Sequence, residues 1–340
     1  MNERPILVTG GAGYIGSHVA LALLDAGRAV VVIDDLSVGS RELVPAGAAF
    51  VEADVGDRGV VEKVLRQHGC DAVIHLAGSV LVEESTREPL AYYRNNTLAS
   101  LALVEACAAS GVGRFVFSST ASVYGAPTAV PIPEDAPLRP EHPYGSSKLM
   151  VERILRDAGR AAGIGCAILR YFNVAGADPA GRSGQRRPEA THLMHVIAEV
   201  VSGKRPELNV YGSDYATPDG TCVRDYVHVS DLAAAHVAVL ERIAPRTEPL
   251  VMNVGDGRGS SVREVVAAAE AVAGRPLPVV EAPRRAGDPP SLVADTRRIR
   301  ELLGWRPRHG TLEEMLRSAI DWEQGGARTM RNGRQQAGGR

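Results

Sequence analysis

The chain has 340 residues, of which 45% are hydrophobic and 23% are charged, and its formal net charge is −2. This is the composition of a globular protein with enough apolar residues for a sizeable core, so it excludes a disordered chain. A near-neutral chain with 4% aromatic residues has no general attraction for nucleic acid or for an anionic membrane surface.

The cysteines indicate a reducing environment. Cys70, Cys107, Cys166 and Cys222 stand far apart, and none belongs to a C-x-x-C pair. Because this spacing fits neither a zinc site nor a disulfide framework, we expect four reduced thiols, no bound metal and a cytoplasmic protein. No apolar run reaches the roughly 18 residues of a membrane span. A strand-like run begins at Ile6, so we expect no signal peptide.

In the first half of the chain, short apolar runs alternate with longer amphipathic segments. The strand-like runs are Ile6–Thr9, Ala29–Ile33, Ala48–Val51, Ala72–His75, Arg114–Ser118 and Cys166–Arg170. The helix-like segments are Ile15–Ala26, Val60–Gln67, Thr97–Ala109 and Tyr144–Ala162. Short buried strands that alternate with helices indicate βαβ units. We therefore predict an α/β fold with a doubly wound parallel sheet, helices on both faces and right-handed crossovers.

The alternation loosens after residue 172. Ala177–Pro188 is rich in Gly, Arg and Pro and predicts a loop. Helix-like segments return at Leu193–Val201, Ser230–Ile243, Val262–Ala273 and Leu312–Glu323. The change predicts a smaller C-terminal lobe. Gly325–Arg340 has little apolar surface to bury and predicts a mobile tail.

The first strand leads into a glycine motif. Gly10, Gly13 and Gly16 form G-x-x-G-x-x-G between a predicted strand and a predicted helix. Such glycines allow a tight turn and a close approach to a pyrophosphate at the helix N-terminus, which predicts a Rossmann-type dinucleotide site. Asp34 ends the second strand, 18 residues after Gly16. A carboxylate there binds a free adenosine ribose diol and repels a 2′-phosphate, so NAD is favoured over NADP.

A second motif supplies proton-transfer chemistry. A Ser/Thr-rich strand end that includes Thr120 precedes Tyr144-x-x-x-Lys148, whose spacing places the phenol and the amine on one helix face. A phenol titrates at about pH 10 and is a poor base at neutrality. We expect the Lys148 ammonium and a positive nicotinamide to lower the Tyr144 pKa, so that Tyr144 exchanges a proton with a substrate hydroxyl. The Thr120 hydroxyl is positioned to hold the reacting oxygen.

These motifs together resemble the extended short-chain dehydrogenase/reductase family. Within it, three downstream segments, Leu169–Ala177, Tyr211–Val229 and Leu302–Trp305, resemble the UDP-glucose 4-epimerases, and the resemblance runs from about residue 5 to about residue 323. It implies bound NAD, a UDP-glucose or UDP-galactose substrate, transient oxidation at C4, rotation of the 4-keto sugar and return of the hydride. It also implies a homodimer formed through Thr97–Ala109 and Tyr144–Ala162.

The resemblance implies two functional regions. Residues 1–172 form an NAD-binding Rossmann domain, to which segments from about 226–254 return. Residues 173–225 and 255–324 form a smaller C-terminal lobe that binds the nucleotide sugar, and 325–340 is the tail.

The resemblance also implies a role for each matching residue. The catalytic group is Thr120, Tyr144 and Lys148. The cofactor contacts are Gly10, Gly13, Tyr14, Ile15, Gly16, Asp34, Asp35, Asp54, Val55, Leu76, Ala77, Gly78, Asn96, Ser118, Tyr144, Lys148 and Phe172. The substrate contacts are Thr120, Asn173, His192, Leu193, Tyr211, Arg224, Tyr226, Arg285, Asp288 and Leu292. Arg224 and Arg285 would clamp the two phosphates, Tyr211 would lie near uracil and Asp288 would face the uridine ribose.

The sequence departs from the family pattern at positions that bear on the substrate. Val80 replaces a lysine found near the pyrophosphate in some members, and His192 stands where Asn is frequent. Leu292 replaces a bulkier aromatic residue, which leaves room for an N-acetyl group. A 4-epimerase of a UDP-N-acetylhexosamine, UDP-glucuronate or a UDP-pentose therefore stays open.

Other activities are less favoured by the same residues. A nucleotide-sugar 4,6-dehydratase carries Asp-Glu directly after the strand-end Thr, where this chain has Ala121 and Ser122. A non-catalytic NAD-binding protein would be expected to lack Tyr144 or Lys148, and both are present. A net oxidoreductase would release NADH, which a persistent absorbance rise would reveal.

Overall fold

The computed structural model describes residues 4–187, 190–245, 247–285 and 287–337, with the backbone alone over 326–337. As far as residue 171, the elements are β1 (Ile6–Thr9), α1 (Tyr14–Asp25), β2 (Val30–Asp34), β3 (Ala49–Glu52), α2 (Arg58–His68), β4 (Ala72–His75), α3 (Val82–Arg87), α4 (Pro89–Tyr92), a π-helix (Tyr93–Leu98), α5 (Ala99–Ala109), β5 (Arg114–Thr120), α6 (Pro143–Ala162) and β6 (Gly165–Tyr171). Short 3₁₀ turns cover Arg41–Leu43 and Ala121–Tyr124.

The remaining elements alternate short strands with five further helices in the described part of the chain. They are β7 (Asn173–Ala175), α7 (Leu193–Val201), β8 (Leu208–Tyr211), β9 (Val223–His228), α8 (Val229–Arg242), β10 (Leu250–Val254), β11 (Gly259–Ser261), α9 (Val262–Ala273), β12 (Val279–Ala282), β13 (Ser291–Leu292), α10 (Arg297–Leu303) and α11 (Leu312–Ala337). Within the described ranges, none of the helices combines the length and apolar character needed to cross a membrane.

The central sheet has seven parallel strands in the order β10-β6-β5-β4-β1-β2-β3. The order reverses direction between β1 and β4, and ligands bind at such a switch point in open α/β sheets. This architecture confirms the predicted α/β fold with a Rossmann-type doubly wound sheet and its smaller C-terminal lobe. From the predicted returning range 226–254, β10 pairs with β6 and α8 packs against α1.

Alternation along the strands places apolar side chains on both faces of this sheet. Ile6 and Val8 join one apolar layer, which includes residues of α1 and α8, whereas Leu7 joins the opposite layer with residues of α2, α5 and α6. Because successive side chains of a strand point to opposite faces, a strand that is apolar throughout must be covered on both sides. The continuous apolar runs in the sequence follow from this arrangement.

The C-terminal lobe has its own core and its own small sheets. Strand β9 pairs with β7, β11 and β13, and β8 pairs with β12. Helices α7, α9 and α11 supply the apolar side chains of this core, among them Ile197, Val265 and Leu316. Helix α9 begins with a capping box, in which Ser261 and Glu264 each bind the other's backbone N–H.

The final helix corrects one prediction. The sequence predicts a mobile tail over 325–340, whereas α11 continues to Ala337, and residues 338–340 lie outside the described residues. An established helix gains one backbone hydrogen bond for each residue added, and Ala, Arg, Gln and Met favour the helical state. A low content of apolar residues was therefore a poor guide to the end of α11.

A buried ion pair joins α6 to the sheet. Glu152 and Arg170 are 0% and 1% exposed, and they form a bidentate contact with N–O distances of 2.6 and 2.9 Å. Ser119 of β5 donates to the same carboxylate at 2.6 Å. A buried ion pair of this kind is tolerated only when its hydrogen-bonding groups are satisfied, so α6 has a defined orientation over β5 and β6.

Candidate active site

The glycine loop joins β1 to α1 with almost no space for side chains. A Cβ on Gly16 would lie 2.0 Å from the Gly10 carbonyl oxygen, and a Cβ on Gly10 would lie 2.6 Å from the Ala77 nitrogen. Gly10 also has φ +68°, in the left-handed region that favours glycine. The first turn of α1 has no side-chain cap at Gly13, so its free N–H groups are available to an anion. These residues fit the pyrophosphate of a dinucleotide.

Asp34, the predicted ribose contact, also holds the glycine loop in place. Its carboxylate accepts hydrogen bonds from the backbone N–H groups of Ala12 and Leu36, each at 2.9 Å. Burial raises the pKa of Asp34, and these two N–H donors lower it in part. A carboxylate offers about four acceptor positions, so capacity for a ribose diol is left.

The other predicted acidic contacts lie farther into solvent. Asp35 is exposed and accepts from the backbone N–H and the hydroxyl of Ser37. Asp54 is exposed and accepts from the Gly56 N–H at 2.8 Å, whereas neighbouring Val55 is buried. Both carboxylates therefore stabilise their own turns.

The three predicted catalytic side chains meet where β5 ends beside α6. Thr120 is the last residue of β5, and its hydroxyl lies close enough to the Tyr144 phenol to lower the pKa of that phenol. Lys148 is buried one turn after Tyr144 and donates to the Ser118 carbonyl at 3.0 Å. The Ser118 hydroxyl contacts the Tyr171 phenol. The structure thus brings a hydroxyl, a phenol and an amine to one edge of the sheet.

Aromatic rings surround the Tyr144 phenol. His142 is the N-cap of α6, accepts from the Gly145 N–H at 3.2 Å and stacks on Tyr144 with ring centroids 6.0 Å apart. Tyr92 makes an edge contact with the same ring at 6.5 Å. These contacts fix the position of the ring.

The pKa of Tyr144 shifts in the opposite direction from the one that the sequence argument predicts. Burial raises it, and the hydrogen bond with Thr120 lowers it only in part. Burial also lowers the pKa of Lys148 to about 8. Desolvation penalises the charged form of each group, so Lys148, one helical turn away, does not by itself lower the Tyr144 pKa. Of the two cations expected to lower it, the oxidised nicotinamide is the one that is left.

Asn96 lies beside the same site in the π-helix. Its side-chain oxygen accepts from the Ser79 N–H at 2.8 Å, and its amide donates to the Ser79 carbonyl and the Ser147 hydroxyl, each at 3.0 Å. A Cβ on Gly78 would lie 2.8 Å from Asn96 Oδ1 and 3.6 Å from Lys148 Nζ. Gly78, Asn96 and Lys148 therefore converge, and π-helical turns are often found at functional sites.

The predicted substrate residues of the C-terminal lobe are mostly paired with one another. Arg224 donates to Asp288 at 2.9 Å, and the Arg285 guanidinium lies 3.9 Å above the centre of the Tyr211 ring. Leu292 is the register partner of Arg224 across β13 and β9. The pairs place two cations, a carboxylate and an aromatic face in neighbouring strands and loops.

Two contacts link this lobe to the predicted catalytic and cofactor residues. Leu292 packs with Phe172 and Ala121 in a small apolar cluster next to Thr120. His192 and Tyr14 line one small cavity of about 20 Å³ near the start of α7, whose first residue is Leu193.

The remaining predicted residues are placed by β7, β9 and the ends of the central strands. Asn173 pairs in register with the buried Tyr226, and Leu76 and Ala77 follow β4. Ile15 is in the first turn of α1. Among the described residues, no three His, Cys, Asp or Glu side chains converge as metal ligands would.

Several polar residues of the site escaped sequence reasoning. Ser147 joins Asn96 to the Tyr144 carbonyl, and Glu152 lies on the face of α6 that carries Lys148. The spacing Tyr144, Lys148, Glu152, four residues at each step, was the available signal, because it marks one helix face. His75 had no comparable signal, since its hydrogen-bond partners, Thr9 and Ser100, are 66 and 25 residues away in the sequence.

Comparison with known proteins places this geometry in a family. The model of a family described as the NAD dependent epimerase/dehydratase family matches residues 6–255. A UDP-glucose 4-epimerase of Azospirillum brasilense is 58% identical over 318 residues, which are 94% of this chain and 91% of that protein.

Solved structures share the whole fold. A UDP-glucose 4-epimerase from Bifidobacterium longum in complex with NAD⁺ and UDP has a TM-score of 0.90 and 38% identity, covering 95% of this chain and 99% of that one. A UDP-Glc/GlcNAc 4-epimerase from Campylobacter jejuni has a TM-score of 0.82 and 44% identity, covering 95% and 100%.

The glycine loop gives a direct test of the cofactor site. We expect Gly16→Ala to weaken NAD binding about tenfold or more, because the new Cβ must displace the Gly10 carbonyl and such overpacking costs about 1–3 kcal/mol. Calorimetric titration with NAD measures the effect. Gly59→Ala is the control, since a Cβ there comes only within 3.5 Å of Asp57 Oδ1 and lies in helix α2. Equal NAD affinity in the two variants would contradict the placement of the pyrophosphate.

Proposed function

The chain belongs to the NAD dependent epimerase/dehydratase family, and on that premise we propose that it interconverts UDP-galactose and UDP-glucose by inverting C4 of the hexose. The observation that carries the proposal is that Thr120, Tyr144 and Lys148 meet at the carboxyl ends of the central strands, where the glycine loop also lies. Relatives named UDP-glucose 4-epimerase, and a solved relative that holds NAD⁺ and UDP, support it.

The chain's residues have separate tasks in this reaction. The glycine loop, Asp34 and Asn96 would hold NAD, which when bound would supply a hydride acceptor at C4 and then a hydride donor to the opposite face of the sugar. Beside the oxidised nicotinamide and the Lys148 ammonium, Tyr144 acts as the phenolate: its oxygen takes the proton of the C4 hydroxyl and later gives it back. The Thr120 hydroxyl, which lies near that phenol, orients the reacting oxygen. Lys148 holds its position through the Ser118 carbonyl and places its amine beside Gly78 and Asn96 at the cofactor side.

The C-terminal lobe anchors the nucleotide while the sugar turns. Arg224 and Arg285 are suited to the two phosphates, because a guanidinium donates to two oxygens at once. Asp288 is positioned for the uridine ribose and Tyr211 for the uracil ring. Asp288 and Tyr211 now contact the two arginines, so the nucleotide exchanges one set of favourable contacts for another.

A wider substrate range is favoured by one side chain. Leu292 packs against the apolar cluster that contains Phe172 and Ala121, the residue after Thr120, and it is smaller than an aromatic residue. We propose that UDP-N-acetylhexosamines enter the same pocket. The relative from Campylobacter jejuni, named for both Glc and GlcNAc substrates, supports this reading.

We further propose that the enzyme works in the cytoplasm, in carbohydrate metabolism. All four cysteines are free and buried, as expected for thiols in a reducing compartment. Burial raises the pKa of Cys70 to about 11, which keeps that thiol protonated and unreactive at neutral pH.

The proposed base is tested by Tyr144→Phe. We expect UDP-galactose turnover to fall by about a thousandfold, because a phenyl ring cannot exchange the C4 proton, while UDP affinity stays near that of the parent. Product chromatography gives the rate, and calorimetry gives the affinity. Ser146→Ala, two residues along the same helix, controls for damage to α6. Parental turnover in the Tyr144→Phe variant would refute the role of the phenol.

The proposed substrate range is tested with a panel of sugars. We expect the parent to epimerise UDP-galactose and UDP-N-acetylglucosamine, and not UDP-galacturonate. Leu292→Tyr should reduce turnover of the N-acetylated sugar by about tenfold or more, since a larger ring excludes the extra group. The same variant should keep UDP-galactose turnover within about threefold of the parent. Activity on UDP-galacturonate alone would instead favour a uronate epimerase.

We also propose a homodimer formed through the face that carries α4, the π-helix, α5 and α6. Leu90, Leu98, Leu101 and Met150 lie on these elements and are 73%, 58%, 37% and 42% exposed. An exposed apolar patch of this kind marks an interaction surface, and a second copy of the chain can cover it symmetrically.

Light scattering tests the dimer. The parent should have twice the chain mass of 36.0 kDa, and Leu98→Glu should shift it toward the single-chain value, because an unpaired carboxylate would be buried in the interface. Val280→Glu, on strand β12 and 40% exposed, is the matched control and should leave the mass unchanged. A parent that runs as a single chain at micromolar concentration would overturn the proposal.

A further inference from the structure

A continuous set of buried polar side chains connects the end of β1 to the catalytic helix. Thr9 contacts His75 Nδ1 at 2.7 Å, and His75 Nε2 contacts the Ser100 hydroxyl at 2.8 Å. Ser100 donates in turn to the Asn96 carbonyl in the π-helix. All four side chains are buried. Thr9 directly precedes the glycine loop, and Asn96 hydrogen-bonds with Ser147 of α6, so the set joins the glycine loop to the proposed catalytic helix.

The hydrogen-bond partners fix the direction of every proton in this set. Thr9 Oγ1 accepts from the Ala77 N–H at 3.3 Å, and the Leu76 N–H is shared between Thr9 Oγ1 and the Thr9 carbonyl, each at 3.2 Å. These contacts face the lone pairs of the hydroxyl oxygen and favour donation of the Thr9 proton to His75 Nδ1. Ser100 uses its only proton on a carbonyl, so His75 Nε2–H must donate to Ser100. His75 is therefore the neutral Nε2–H tautomer.

The surroundings of His75 keep the ring uncharged. Burial and, to a smaller extent, the positive charge of Lys148 together lower its pKa to about 3. Protonation would place a second N–H against the Thr9 oxygen, which already faces the N–H groups of Leu76 and Ala77. Phe115 and Phe117 flank the ring, at centroid distances of 6.0 and 5.8 Å. Over the neutral range the imidazole has a structural role and does not titrate.

The same set continues from Asn96 to the catalytic tyrosine. The Asn96 amide donates to the Ser147 hydroxyl at 3.0 Å, and Ser147 donates to the Tyr144 carbonyl at 2.8 Å. Thr97 adds a bond to the Ser147 carbonyl at 3.3 Å. The backbone that carries Tyr144 is therefore tied to the π-helix, and through Ser100 the π-helix is tied to His75.

We propose that His75 is a positioning residue, which holds the glycine loop at a fixed distance from the π-helix and the catalytic helix. Its Nδ1 acceptor serves the cofactor side through Thr9, and its Nε2–H donor serves the catalytic side through Ser100. The two ring nitrogens thus control different properties of the enzyme. The part of this inference that concerns turnover rests on the proposed epimerase function, whereas the part that concerns NAD affinity does not.

Two substitutions separate the two nitrogens. In His75→Asn, the amide oxygen can replace Nδ1 as the acceptor for Thr9, but nothing reaches Ser100. In His75→Gln, the amide nitrogen can replace Nε2 as the donor to Ser100, but Thr9 loses its acceptor. A buried partner left without its hydrogen bond has an effect of about tenfold in an equilibrium or a rate. His75→Phe removes both contacts at similar volume.

The expected results for the two variants are opposite. His75→Asn should keep the NAD dissociation constant within about threefold of the parent and lower kcat of the NAD-loaded enzyme about tenfold. His75→Gln should raise the NAD dissociation constant about tenfold and keep kcat of the loaded enzyme within about threefold. His75→Phe should show both losses. Cys107→Ala, a buried change in the apolar layer and in α5, gives the baseline for a loss of stability alone.

Equal losses in the Asn and Gln variants would show a merely structural role and overturn the proposal. An independent measurement uses the unmodified protein: the imidazole ¹⁵N shifts of His75 should show a protonated Nε2 and an unprotonated Nδ1 between pH 6 and about pH 9. An Nδ1–H tautomer or an imidazolium would also overturn it. If the parent epimerises no UDP-sugar, the proposed function fails, and the NAD affinities of the three variants still decide the role of His75.

Discussion

The buried pair of Glu152 and Arg170 fixes the geometry on which the rest of the site depends. Helix α6 carries Tyr144, Lys148 and Glu152 on one face, and β6 carries Arg170. The bidentate contact fixes both the rotation of α6 and its height above the sheet, because two parallel hydrogen bonds tolerate little displacement. Ser119, one residue before Thr120, binds the same carboxylate. This charged contact therefore adds a defined orientation to the apolar packing of α6 against the sheet, next to the strand end that carries the proposed catalytic hydroxyl of Thr120.

Around that contact, burial disfavours the charged forms of three side chains. It raises the pKa of Tyr144, lowers that of Lys148 to about 8 and lowers that of His75 to about 3. The strong, permanent cations Arg224 and Arg285 stand instead in the C-terminal lobe, where they face carboxylate and ring partners. Such a division suits a reaction in which the ligands bring the charges. Electrostatic interactions made with those ligands are stronger at a buried site than in water, whereas phosphates are best met by fixed guanidinium groups.

Local patterns predicted most of the fold and part of the site. The strands Ile6–Thr9 and Ala72–His75 have the bounds that the sequence indicates, because their apolar runs reflect burial on both faces of the sheet. The glycine spacing predicted the tight turn between β1 and α1, in which a Cβ on Gly16 would lie 2.0 Å from the Gly10 carbonyl oxygen. The direction of the Tyr144 pKa shift was not predictable in this way, because it depends on desolvation by distant segments. His75 escaped for the same reason: its partners, Thr9 and Ser100, are 66 and 25 residues away.

The segment between Thr120 at the end of β5 and Tyr144 at the start of α6 connects the two lobes. The chain from Thr120 to Tyr144 runs across to the C-terminal lobe, where Ile132 donates to the Val293 carbonyl at 2.8 Å and accepts from the Asp295 N–H at 3.0 Å. Asn253, at the end of β10, donates to the same Ile132 carbonyl at 2.8 Å and accepts from Tyr124, which follows Thr120 in the 3₁₀ turn. Leu292, next to Val293, thus shares a hydrogen-bonded frame with the catalytic strand end. Backbone and side-chain hydrogen bonds therefore join the proposed sugar pocket to the proposed catalytic strand end, in addition to the apolar cluster that the two share.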